Sequence, residues 1–448
     1  MIEGAYGSLK ASNPGRVMSR TSETLHPSLS LALGLMLTAA ACGSPAAPDS
    51  DTDPITELPR ALTTRERTVI DDGNAFGLAL LHNVVTRDGR PNVILSPLSA
   101  SLALGMTLNG AAGGTFEAMR STLGFDGMSQ HEINEAYRGL IDMLTTLDPD
   151  VRFDIADAVW ANEGFTFRDA FLQAVRDAFG AKIEVGDFAN PATAAAINQW
   201  VSESTNGLIG RIVDQLDPSM AMMLLNAIYF DGAWTTRFDP ADTRPADFTR
   251  EDGSTVRVDM MNVSDTKLPM GGGDGYQAVE LPYGGGAFSM VILLPWPGES
   301  ARHLLNGLDA AAWQEVVDHL SPTEVDRLSM PKFTLAYDTY LNDPLKAMGM
   351  EVAFGPGADF TAMSPEGDRM CIDFVRQKTY VDVDERGTRA AAVTGVGVRG
   401  TSFMGVSVDR PFVFAIRERL SGTLLFVGLV GDPTYADSGP DDLASTCG

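Results

Sequence analysis

The spacing of the apolar residues changes once along this chain, and that change limits the folds open to it. Up to about residue 204 apolar side chains recur mostly with helical spacing; from residue 222 they fall into short strand-like runs. The spacing predicts a helix over 69–85 and a short strand over 92–96. Ser96-Pro97 then opens a second helix, with serine as cap and proline where its missing N–H costs nothing, running to Gly110. Thr115 is expected to cap a third helix that ends near Leu123-Gly124. Residues 151–161 alternate as a strand, and 167–180 and 191–204 read as helices. Beyond them, 222–230 is a buried strand ended by Gly232-Ala233-Trp234, and 276–281 with 288–294 form a hairpin around Tyr283-Gly284-Gly285-Gly286. Further strands are expected at 327–336, 378–383, 406–416 and 423–428. Helices early and strands late is the order of an α+β fold, not of alternating α/β units. There is no internal repeat.

Charge narrows the partners. With 33 basic against 59 acidic residues the net charge is −26, which argues against nucleic acid, anionic membrane surfaces and heparin-like polyanions. Arginine outnumbers lysine, and Ala, Gly and Asp are abundant, a bias typical of a bacterial sequence. At 448 residues the chain has length for more than one domain and for a large core.

The N-terminus carries an address. The apolar run 29–41 is too short to span a bilayer, has the length of a signal-peptide core and ends in small residues. Cys42 follows Ala39-Ala40-Ala41, which resembles a bacterial lipoprotein cleavage box with Cys42 as the lipidated residue; cleavage and plain secretion is the alternative. Met18 starts a signal peptide of ordinary length, 18–42, so residues 1–17 are read as an annotation extension. Residues 43–63, rich in Pro, Asp, Ser and Ala, form a flexible tether. The expected location is the cell envelope or outside the cell. Cys371 and Cys447 remain as an even pair in an exported chain, either a disulfide that pins the tail 437–448 or two independent thiols.

Enzyme signatures are missing: there is no Gly-x-Ser-x-Gly elbow, no His-Glu-x-x-His and no phosphate-binding glycine loop. Of five histidines, His26 lies in the signal region, while His82, His131, His303 and His319 are scattered. His131-Glu132 lacks a second ligand at helical spacing, so no metal and no cofactor are expected.

Ordered blocks then carry a resemblance. NVILSPLSASLALGMTLNGAAGGTFEAMRSTLGF (92–125), INQWVSESTNGLI (197–209), LLNAIYFDGAWTTRFDP (224–240), MPKFTLAYDTYLNDPLKAMGM (330–350), VDERGTRAAAVT (383–394) and VSVDRPFVFAI (406–416) resemble the serpin family. The resemblance implies a monomeric α+β domain over 64–436, with a large mixed sheet, two smaller sheets and an exposed reactive loop at Gly387–Arg410. It implies a protease inhibitor, not an enzyme. A serine or cysteine protease cleaves the loop, which then inserts into the main sheet and traps the acyl-enzyme; a non-inhibitory carrier is the alternative. Carried over by position, Glu385, Gly387, Thr388, Arg389, Ala390, Ala391 and Ala392 form the hinge. Ser96, Ser99 and Asn226 form the shutter, where Gln377 replaces a histidine, can donate to an asparagine carbonyl and removes histidine's pH dependence. Trp234 marks the breach, and Lys332 and Glu385 form an ion pair there, expected to be exposed.

The loop itself can be tested physically. Alternate residues of an inserted strand face opposite sides. The even positions Thr388, Ala390, Ala392, Thr394, Val396, Val398 and Gly400 carry no charge and nothing larger than valine. Arg389 and Arg399 both fall on the odd side, and a slip of one residue would bury them. Family spacing from Glu385 puts the reactive bond at Thr401–Ser402; Arg399–Gly400 is the alternative on chemistry, with Phe403 and Met404 more distant candidates.

Overall fold

A computed structural model describes residues 54–387 and 404–435, with 437 and 439. The first half is mostly helical. It comprises α1 (Thr64–Val85), β1 (Asn92–Leu95), α2 (Pro97–Leu108), α3 (Gly113–Thr122), α4 (Gln130–Leu144), β2 (Val151–Asn162), α5 (Asp169–Phe179), β3 (Lys182–Gly186) and α6 (Pro191–Ser204). The second half is mostly sheet. It comprises β4 (Met222–Gly232), β5 (Arg244–Thr249), β6 (Thr255–Gly273), β7 (Tyr276–Tyr283), β8 (Phe288–Pro295), α7 (Ala301–Asn306), α8 (Ala310–Asp318), β9 (Ser321–Pro331), β10 (Phe333–Tyr340), β11 (Arg376–Val383), β12 (Gly405–Ser407), β13 (Phe412–Glu418) and β14 (Leu424–Val430).

Local chemistry explains most boundaries. Thr63 and Glu66 form a reciprocal capping box at α1, and Ser129 and Glu132 do the same at α4. Ser96 caps α2 as expected, accepting from Ser99 N–H at 3.2 Å. Thr115 does not cap α3, which starts two residues earlier, at Gly113; its hydroxyl instead accepts from Asp359 N–H. The single strand expected at 327–336 is two strands broken at Lys332, and that expected at 406–416 is two broken by the Asp409-Arg410-Pro411 corner. Strands β3, β5 and β6 and helix α4 had no sequence expectation; β3 and β5 are short, and β6 alternates polar and apolar without a long hydrophobic run.

The strands form one large mixed sheet and two small ones. In the large sheet the order is β1-β14-β13-β8-β7-β6-β9-β12, with β5 paired to β6. Its centre, β8, β13 and β14, is buried at every residue, so both faces are covered and the sequence reads as continuous apolar runs. The small sheets are β3-β2-β4 and the antiparallel pair β10-β11. Helix α2 packs beneath β4 within the main core, while Ile197 and Val201 of α6 belong to a second apolar cluster with Met223 and Leu225 of β4.

The segment expected as a tether is partly docked. Within 54–63, Ile55 donates its N–H to Gly285 O at 2.8 Å, and Leu58 and Leu62 lie against the core. Among the described residues no helix is long and apolar enough to cross a membrane.

Candidate functional site

The edges of the two small sheets face each other without pairing. No ladder joins β4 to β11 among the described residues. Between them lies a cavity of about 350 Å³, lined by 219–231 on one side and 369–382 on the other, with Ser96, Ser99, Ala103 and Thr107 of α2 at its floor. A sheet edge with unpaired N–H and C=O groups is a template for another strand, and here two such edges flank one slot.

At one end the slot is closed by a turn. Strand β11 ends at Val383, and Asp384-Glu385-Arg386-Gly387 then reverses the chain: Asp384 and Gly387 exchange both backbone hydrogen bonds, at 3.0 and 3.2 Å. The Asp384 carboxylate accepts from Arg386 N–H at 2.8 Å and pairs with its guanidinium, an aspartate-stabilised turn. Gly387 is also bridged, antiparallel, to Ala233 just beyond β4. It is thus flanked by both edges at once. Its φ of +129° is one that side-chain-bearing residues avoid, and a Cβ there would lie 2.2 Å from Gly232 O.

Trp234 holds this end. Its indole Nε1–H donates to Asp384 O at 3.0 Å and its N–H to Arg386 O at 2.9 Å, and its ring stacks on Tyr283 at 4.4 Å. Glu385 sits beside it. Its carboxylate pairs with Lys332 Nζ at 2.9 Å and accepts from Thr243 Oγ1 at 2.7 Å. The expectation of an exposed pair is corrected: Glu385 is only 6% exposed. Burial acts to raise its pKa, but the hydrogen bonds from Lys332 and Thr243 outweigh it and hold the carboxyl below the usual range. Thr243 had no sequence signal, because the turn that delivers it belongs to a different element.

Midway along, the floor is polar. Gln377 of β11 is buried and grips Ser96 with both ends of its amide, accepting from Ser96 N–H and donating to Ser96 O, each at 3.0 Å. Gln377, which could have donated to an asparagine carbonyl, thus gives its amide to Ser96. Asn226 instead donates through Nδ2 to Asp157 Oδ1 at 2.9 Å, a residue of β2 that sequence reading passed over as part of an alternating strand. Asn226 Oδ1, Asp157 Oδ2 and Thr379 Oγ1 are buried with no hydrogen-bond partner.

Downstream, Met404 is held by Asp326 of β9, whose N–H donates to Met404 O and whose carboxylate accepts Met404 N–H; β12 then pairs parallel to β9. Thr388, Arg389, Ala390, Ala391, Ala392, Arg399, Gly400, Thr401, Ser402 and Phe403 lie outside the described residues, as does Cys42. Cys371 is disulfide-bonded, so it is not an independent thiol; Cys42 and Cys447 both lie outside the described residues.

The sequence model of the serpin (serine protease inhibitor) family matches residues 71–433. The chain belongs to the serpin family. Neuroserpin of Gallus gallus is 33% identical over 366 residues, covering 78% of this chain and 88% of that protein. The thermophilic serpin tengpin in its native state superposes with a TM-score of 0.75 at 31% identity, covering 85% of this chain and 97% of that one. Human thyroxine-binding globulin superposes with a TM-score of 0.76 at 26% identity, covering 83% and 100%. The expected α+β serpin architecture, one large mixed sheet and two smaller ones, is what the strands form.

Proposed function

We propose that this serpin inhibits serine or cysteine endopeptidases as a single-use substrate, by inserting its cleaved loop between β4 and β11. The observation that carries the reading is the unpaired slot closed at one end by the turn at Asp384–Gly387, with Gly387 bridged both to Asp384 and to Ala233. Insertion of the reactive loop is the serpin form of strand addition.

The register supports it. Seven residues beyond Gly387 comes Thr394; seven residues back from Ala233 and Asp384 come Asn226 and Gln377. On β4 the even positions Leu224 and Ile228 face the main core, and on β11 the odd positions Gln377, Thr379, Val381 and Val383 are buried. A strand continued in this register would turn its even residues to the core. Those are the small, uncharged positions Thr388 to Gly400, and Arg389 and Arg399 would look outward. Over the length of β4, residues 388–398 would be taken up. A dozen new backbone hydrogen bonds at roughly 0.5–1.5 kcal/mol each give on the order of 10 kcal/mol, so the uninserted form is metastable.

The chemistry is an interrupted hydrolysis. The protease nucleophile attacks the carbonyl carbon of Thr401 (Arg399 in the alternative), and the bond to the next residue's nitrogen breaks. That nitrogen leaves as an amine carrying the proton, and the acyl ester or thioester stays on the serpin. Insertion then draws the attached protease to the far end of the slot before water can attack. The chain acts after export, tethered through Cys42 if that residue is lipidated.

Incubation with a panel of serine and cysteine proteases tests the reading. The expected result is an SDS-stable complex with at least one of them, a large rise in Tm after loop cleavage, and a released C-terminal peptide whose mass identifies residue 401 or 399. Turnover of the loop as plain substrate, with no complex and no rise in Tm, favours the carrier alternative.

A further inference from the structure

Asp157 and Asn226 stand directly opposite each other in the β2–β4 ladder, one strand back from the slot. Asp157 is 4% exposed, and its neighbours on that face, Ile155, Val159, Leu224 and Ile228, are all apolar. One hydrogen bond joins the pair, and it leaves two buried acceptors, Asp157 Oδ2 and Asn226 Oδ1, without a donor. Turning the amide over does not help, since its oxygen would then face the carboxylate and the one hydrogen bond would be lost. An ionised carboxylate offers no donor to Asn226. A protonated one does: its O–H can donate to Asn226 Oδ1 while Nδ2–H donates back, and both orphaned acceptors are then satisfied.

No charge is placed to stabilise the carboxylate. Helix α2 beneath carries no titratable residue. On β2, Arg152 and Asp154 are exposed and paired with each other, as are Lys182 and Glu184 on β3. On β4, Tyr229 donates to Asp231. On α6, Glu203 is bonded to Gln199 at the surface. Across the slot, the inward residues Gln377, Thr379 and Val381 are uncharged, and Lys378 pairs with Asp338. Tyr137 of α4 is bonded to Ser101. Burial therefore dominates and pushes the Asp157 carboxyl up to about 7, opposed only by the Asn226 amide.

We infer that Asp157 and Asn226 form a proton-operated latch on the edge of β4, closed by two hydrogen bonds when Asp157 is protonated and reduced to the single Nδ2–H bond, its released state, when Asp157 ionises. This rests on the insertion reading. Closed, the acid–amide pair fully satisfies both side chains and holds Asn226 against β2. Released, the Asn226 carbonyl oxygen lacks a donor beside a buried negative charge. In the proposed register an entering strand brings the Thr394 hydroxyl to that oxygen, so the ionised state gains more from insertion than the protonated one. Loop insertion thus quickens as pH rises through neutrality, a dependence that replaces the one lost with the shutter histidine.

The test uses the full chain, wild type and Asp157→Asn, with two measurements. Infrared spectra are expected to show the carbonyl stretch of a protonated carboxylic acid at pH 6 that disappears by about pH 8.5 in wild type and is missing in the variant. The rate of spontaneous conversion to the heat-resistant form, at one temperature below melting, is expected to rise about two- to tenfold over that range in wild type, the effect of one buried hydrogen bond. In Asp157→Asn it stays flat. No acid band at pH 6, or the same pH slope in both proteins, overturns the latch alone. A loop-cleaved protein with no gain in heat resistance overturns the insertion reading itself, and the latch with it, even where the acid band is present. Burial also raises the carboxyl of Glu418, so a second variant, Glu418→Gln, assigns the band: persistence of the band there supports Asp157 even if Asp157→Asn does not fold, and its loss there overturns the latch.

Discussion

Two seams of sheet in this serpin are built in opposite ways. Where β13 meets β14 and β8, ladders run along both sides, with one register shift at Ile416/Arg417, and every residue is buried. Where β4 meets β11, two strands that alternate in burial are left without a ladder between them, over a floor with unsatisfied polar atoms. The first seam is a finished scaffold; the second is a slot between two unpaired strand edges. On the insertion reading, the slot can store work only if the rest of the fold does not yield, and the buried, paired seam supplies that rigidity.

The comparison can be broken most decisively at the turn. Gly387→Val puts a branched side chain at φ +129° against Gly232 O, Trp234 N and Ala233 Cα. Complex formation should disappear and the loop become plain substrate, read by SDS gel and by the stoichiometry of inhibition; an unchanged stoichiometry would falsify the role assigned to this turn. Next comes the scaffold. Phe414→Ala, at a residue with 0% exposure, should cost about 3–5 kcal/mol in denaturant unfolding while leaving any complex formed covalent.

Breach changes should be smaller in stability and larger in consequence. Glu385→Lys removes the bonds from Lys332 and Thr243 and sets two cations together, so mild heating should yield more polymer on native gels than wild type gives. The same carboxylate has a folded pKa below its unfolded value. Its stabilisation is therefore present at neutral pH and fades as pH falls below the unfolded pKa and through the folded one, so Tm in Glu385→Gln should depend less on pH in that acid range.

Gln377→Ala leaves the buried Ser96 N–H and C=O without the side chain that holds them; a loss of about 1–3 kcal/mol is expected in urea melts. The smallest effect belongs to the surface. Arg257→Ala breaks an exposed pair with Asp247 and should shift stability by no more than about 0.5 kcal/mol, the control against which the slot variants are judged.

Much of the scaffold was legible because its signals are local. Serine before proline capped α2, and continuous apolar runs marked β8 and β14. The elements that escaped were those whose pattern depends on partners. The long strand β6 is only half apolar because different stretches of it pair with β5, β9 and β7. The break at Lys332 follows from where β9 leaves one sheet and β10 joins another.

The sequence by itself determined the α+β order, the family, and the parity that keeps Arg389 and Arg399 off one face of an inserted strand. Those follow from period, spacing and side-chain size, which a chain carries wherever it goes. Only the tertiary structure decided what the polar residues of the slot do. Gln377 went to Ser96 and not to Asn226; Glu385 proved buried; Asp157, unremarkable in an alternating strand, proved to face the core beside the Asn226 amide that lines the opening. The reason is physical: hydrogen bonding and desolvation depend on what stands within a few ångströms, and for these residues that neighbour lies from about fifty to nearly three hundred positions away in the chain.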